Sequence, residues 1–194
     1  IGEWDVDNGY QRLNEFSSHG LGPHELLLMP DKRTLAIANG GILTHPDTGR
    51  HKLNIPTMVP SLTYIDRFNG VLRQSVELIG DRQHKLSIRH LSVNSEGLIC
   101  LALQDQGPKQ DNLSAVAFHT SGERSLTLAD APTGTLKRMR GYTGAVTADS
   151  GGKVAAVSAP RGGIVTFWDI ASRRYLNQTK LSDGCGIAAT ESPS

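Results

Sequence analysis

Histidine, glutamate and arginine residues fall in a few short stretches of this sequence, and their side chains have the donors for metal or anion chemistry. His24-Glu25 and Arg89-His90 are adjacent pairs. His45, Arg50 and His51 share one long segment, and Arg161 lies in Pro160-Arg161-Gly162-Gly163. Imidazole and carboxylate suit zinc, copper or iron, so His24, His45 and His90 are candidate ligands for a transition metal (iron, copper or zinc), with Glu25 and His51 in the same stretches. Arg89, if it faces the channel, would instead hold a carboxylate or phosphate through the guanidinium fork, and Arg50 and Arg161 are further candidate ligand-binding residues. The spacings contain no HExxH-type signature. A structural use, in which these histidines hydrogen-bond loop backbones, therefore competes with both readings. Ser61, Ser87 and Cys185 have no general base at a telling spacing. Gly151-Gly152 and Gly162-Gly163 precede no helix, so they read as turns rather than phosphate-cradling loops.

These residues must be positioned by β-structure. Helical periodicity is scarce, and short strand-like runs alternate with Gly, Asp, Asn and Pro clusters. One hairpin pattern recurs: residues 24–38 around Pro30-Asp31, residues 88–102 around Asn94-Ser95-Glu96-Gly97, and residues 143–157 around Ser150-Gly151-Gly152. A second hairpin follows each: 62–74, 115–126 and 165–176. Four strands per repeat mark the blades of a propeller. The predicted fold is all-β: a β-propeller fragment of about three complete four-stranded blades with partial blades at both ends. The blades are placed at 1–20 (partial), 21–82, 83–140, 141–182 and 183–194 (partial), the last opening with an inner strand at Cys185–Ala189. Trp168-Asp169 and Trp4-Asp5 close equivalent strands in the manner of a WD repeat, a packing feature.

In a propeller, the first strand of each blade lines the central channel. The loop leading into it and the loop between strands two and three share one face. By this rule, all of the seven histidines except His119 collect at one mouth of the channel, with Glu25, Arg89, Tyr142, Arg161 and Asp183. Loops on a rigid scaffold are where propellers place ligands. Neighbours along a strand point to opposite sides, so one of Arg89 and His90 is expected to face the channel. The alternative for Arg89 is an inter-blade ion pair, with Glu25 as its equivalent one blade earlier.

Composition narrows the function classes. The chain is 38% hydrophobic and 20% charged, as expected of a globular protein rather than a disordered one. Its net charge of +1 and its short basic stretch Lys137-Arg138-Arg140 argue against nucleic acid as a partner. No apolar run reaches the ~18 residues of a membrane-spanning helix. Cys100 sits in an apolar strand and Cys185 in a turn. Two cysteines form no disulfide framework, and their redox state stays open. Residue 1 is Ile rather than Met, so further chain, with any targeting signal, is expected upstream.

Gly22-Pro23-His24-Glu25-Leu26-Leu27-Leu28-Met29-Pro30-Asp31, Thr44-His45-Pro46-Asp47-Thr48-Gly49-Arg50, Leu86-Ser87-Ile88-Arg89-His90-Leu91 and Pro160-Arg161-Gly162-Gly163 resemble an uncharacterised bacterial family of secreted propellers, a domain of unknown function. The family pattern reads Ser-Pro-Arg-Gly-Gly where this chain has Ser158-Ala159-Pro160-Arg161. The resemblance implies a seven-bladed ring, a twin-arginine export signal upstream, a periplasmic location and association with iron-uptake proteins near imelysin-type genes. The resulting expectation is a periplasmic binding or scaffold protein holding a ligand or partner at the histidine-rich mouth. The alternative is a lactonase-like or dehydrogenase-like propeller enzyme using the same residues, with or without a metal. Open propeller edges would also favour self-association.

Overall fold

Antiparallel strands joined by turns, several of them Asx-capped, form the framework of the computed structural model, which describes residues 1–49, 51–108 and 112–190 of the 194-residue chain. β1 (Gly2–Asp5) and β2 (Gln11–Glu15) form an isolated hairpin. β3 (Pro23–Leu28), β4 (Thr34–Asn39), β5 (Ser61–Asp66) and β6 (Leu72–Glu77) form the first four-stranded antiparallel meander. β7 (Leu86–Val93), β8 (Leu98–Asp105), β9 (Val116–Thr120) and β10 (Thr127–Leu128) form the second. β11 (Ala145–Ala148), β12 (Val154–Ala159), β13 (Ile164–Asp169) and β14 (Arg174–Lys180) form the third. These are three propeller blades. Their innermost strands are neighbours, β7 lying between β3 and β11.

The turns explain why the chain reverses where it does. The first turn of each blade is organised by an Asx side chain accepting backbone N–H groups ahead of it. Asp31 takes those of Arg33 and Thr34, Asn94 those of Glu96 and Leu98, and Asp149 those of Lys153 and Val154. In the first and third blades an aspartate that closes the third strand caps the next turn: Asp66 accepts from Phe68 N, and Asp169 from Ser172 N.

Between the sheets lies one apolar layer, with Leu62, Leu86, Ile88, Leu101, Leu103, Phe118 and Trp168 essentially sealed from solvent. Each such side chain contributes about 1.5–3 kcal/mol by burial. Hydroxyl latches tie each blade to the next. Ser87 Oγ donates to the Gly40 carbonyl at 2.8 Å and Thr143 Oγ1 to that of Leu103 at 2.6 Å. Ser158 Oγ donates to the Cys185 carbonyl at 2.5 Å.

Several expectations are corrected. Among the described residues Cys185–Ala189 forms no strand, although the Cys185 carbonyl is latched to Ser158. A short helix, α1 (Thr133–Met139), occupies the link between β10 and β11. It spans too few residues to register as a helical period, and only Thr135 and Met139 are buried. The two Trp-Asp pairs also part company. Trp168 is fully buried, its indole N–H donating to Thr166 Oγ1 and its ring edge-on to Tyr175, whereas Trp4 is 54% exposed. His19 leaves the expected face, its Nε2 reaching the Gly70 carbonyl in the turn between β5 and β6.

Candidate functional site

Two β-bulges in neighbouring inner strands position the site. The pairing of β3 with β4 skips a residue between Pro23 and Glu25, and that of β7 with β8 skips one between Ile88 and His90. His24 and Arg89 are therefore the extra residues, equivalent to one another. Glu25 is the counterpart of His90, not of Arg89 as simple alternation suggests. A bulge leaves its residue unpaired and re-aims its side chain. Both side chains turn into a groove of about 610 Å³ between the strand-two-to-three loop of the first blade and the third blade.

Lys52, Tyr142 and Arg161 share that lining, and among the described residues that line it there is no aspartate or glutamate. The Arg161 guanidinium stacks over Tyr142, 3.8 Å from the ring centroid. This cation–π contact uses the flat face of the guanidinium and leaves its in-plane N–H groups outward. The tight turn Pro160–Gly162 carries Arg161 and packs on α1, where Arg138 Nε donates to the Gly162 carbonyl. Lys52 Nζ donates to Gln106 Oε1, a neutral acceptor. Arg89 Nε is buried without a hydrogen-bond partner.

Electrostatics mark the groove as undercompensated. Burial lowers the Arg89 pKa from its ordinary value, and burial, then Arg89 and Arg161, do the same for Lys52. Burial, followed by Arg89 and His90, lowers the His24 pKa and favours the neutral ring. Buried N–H donors without acceptors are costly. One such donor, Arg89 Nε–H, lies in the groove, as a site awaiting an anion would show.

Behind the groove, His24 and His90 meet edge to face with ring centroids 4.8 Å apart. Glu25 Oε2 accepts from Leu91 N at 2.5 Å and stands 3.5 Å from His90 Nδ1. Burial alone would raise the Glu25 pKa, but the His90 and Leu91 hydrogen bonds outweigh it and hold the carboxyl low. This carboxylate is thus committed to β7.

Of the residues singled out from sequence, His24, Arg89 and Arg161 meet in the groove, with Glu25 and His90 directly behind. His45 and His51 do not join them. His45 is exposed and caps the turn Pro46–Thr48, its Nδ1 accepting from Asp47 N, while His51 is exposed in the same loop. Arg50 lies outside the described residues. The metal set His24, His45 and His90 is therefore not assembled, and among the described residues no group of three or more His, Cys, Asp or Glu side chains could hold an ion. Of the nucleophile candidates, Ser87 is spent on its latch. Lys52, which also lines the groove, is not among the residues singled out from sequence. The signal for it was its sign of charge in the same loop as His51, which a search for metal ligands passes over.

The sequence matches, over residues 1–193, the family described as protein of unknown function DUF1513. The chain belongs to the DUF1513 family. No curated protein matches this DUF1513 sequence. Among solved structures, the fold resembles the hydrazine synthase of Kuenenia stuttgartiensis (14% identity, TM-score 0.55), covering 90% of this chain and 40% of that one. It also resembles the WD40 repeats of RRP9 (11% identity, TM-score 0.59), covering 90% of this chain and 43% of that one. These likenesses concern the fold alone. The DUF1513 chain spans about two fifths of the length of these solved chains.

Proposed function

We propose that this DUF1513 protein is a propeller binding module that holds an anionic group, of a ligand or a partner, in the groove formed by Lys52, Arg89 and Arg161. The observation that carries this reading is the lining itself: three cations and no acid, with the Arg89 Nε–H buried and unpartnered. An anion entering there supplies the missing acceptor and converts three mutually repelling charges into charge-assisted hydrogen bonds. Residues of this kind reduce stability in the empty protein and are kept for binding.

The test is a thermal-shift screen of anions at constant ionic strength. Binding to the native state raises Tm by mass action. The wild type should shift and an Arg89→Ala/Arg161→Ala variant should not. Equal shifts in both proteins would contradict the reading. The likeness of the loop motifs to exported bacterial propellers supports a periplasmic location beside iron-uptake proteins. Fractionation of cells expressing the full-length protein checks this, and retention in the cytosol would oppose it.

A further inference from the structure

We infer, resting on the anion-binding reading above, that the ligand of this groove is a small dianion: a compact molecule presenting two negative charges on carboxylate or phosphoryl oxygens.

Three features point to a small molecule that enters. First, the donor in greatest need of an acceptor, Arg89 Nε–H, is buried. The side chains of a partner's flat acidic surface would be met by the exposed Lys137, Arg138 and Arg140 instead, whereas Arg89 is half-buried and lines the groove. Second, the volume of about 610 Å³ falls in the range of roughly 300–1,000 Å³ of small-molecule sites. Third, Gly49 is among the lining residues. A Cβ on Gly49 would meet nothing within 4 Å, so a ligand can lie against bare backbone there.

Charge and geometry set the valence. Arg89 comes from the second blade, Arg161 from the third and Lys52 from the long loop of the first, so the cations approach from different walls. A monoanion can satisfy one guanidinium fork and leaves the remaining cations uncompensated. A second negative charge engages them, each guanidinium offering a planar pair of donors suited to oxyanions. Lys52 adds a point charge already steadied by Gln106.

The experiment is titration calorimetry of the intact protein with inorganic phosphate, succinate and acetate at matched ionic strength and about pH 8, where phosphate is chiefly the dianion, with poly-L-glutamate as a further arm. Phosphate or succinate should bind at least about tenfold more tightly than acetate, a difference expected for one added charge–charge contact near a protein surface. Which of the two binds distinguishes phosphoryl from carboxylate chemistry. Arg89→Ala should abolish the preference. Arg89→Lys, which keeps the charge without the fork, should retain part of the binding even if the alanine variant folds poorly. Acetate binding as tightly as the dianions would overturn the inference. So would Arg89-dependent binding of poly-L-glutamate with no response to the small anions, an outcome that leaves the anion-binding reading standing. If no probe binds in an Arg89-dependent way, that reading falls as well.

Discussion

Tyr64 Oη donates a hydrogen bond to His119 Nδ1 at 2.6 Å across the boundary between the first two blades. The other ring nitrogen of His119 donates to the Glu123 carbonyl at 3.1 Å, so the network assigns the Nε2–H tautomer. Tyr64→Phe strands a buried acceptor and should cost about 1–2 kcal/mol. Urea denaturation followed by tryptophan fluorescence measures this, and an unchanged midpoint would remove the bond from the account.

Acid should weaken the fold in two stages. Burial lowers the His119 pKa, so the neutral ring belongs to the folded state. Its contribution is intact above the ordinary histidine value of about 6.5 and is lost as pH falls through its lower folded value. Asp66 is held low by the Arg33 hydrogen bond, then by the Phe68 N–H and Arg73. Its contribution is present above about pH 4 and fades further down. Tm measured against pH should show both declines, and Asp66→Asn should flatten only the lower one.

Arg89→Met should leave Tm unchanged or raise it, because it removes a buried donor that no protein group satisfies and relieves repulsion on Lys52. The same variant should lose anion affinity by more than about tenfold. Differential scanning calorimetry and a binding titration on the same sample separate the two effects. A large fall in Tm would mark Arg89 as structural.

Gly162→Ala should disable the groove without unfolding the blade. A Cβ there would sit 2.1 Å from the Arg138 carbonyl, so the turn must move off α1. That movement carries Arg161 away from Tyr142. Unchanged far-UV circular dichroism with weakened anion binding is the expected result. Full binding would show that the stacking does not position Arg161.

Much of the architecture could be read from residue order because its cues are local. Asp31, Asn94 and Asp149 announce turns, and the alternation on either side announces strands. The bulges at His24 and Arg89 leave no trace in composition, since one unpaired residue in a strand looks like any other. Strict alternation therefore matched Arg89 with Glu25, when His24 is its counterpart. The histidines were grouped by loop, yet His45 turns to Asp47, because membership of a loop does not fix where a side chain points. Lys52, Arg89 and Arg161 converge from three blades, and a site made by such convergence has no signature along the chain.

The most direct test of the central claim observes the Arg89 Nε–H itself, by arginine-selective ¹H–¹⁵N NMR of the full-length protein titrated with the tightest-binding anion. The Arg89 resonance, assigned by its absence from Arg89→Lys, should move downfield and its exchange with water should slow as the missing acceptor arrives. Saturable binding that leaves this resonance in place while other signals move would put the anion elsewhere and contradict the account.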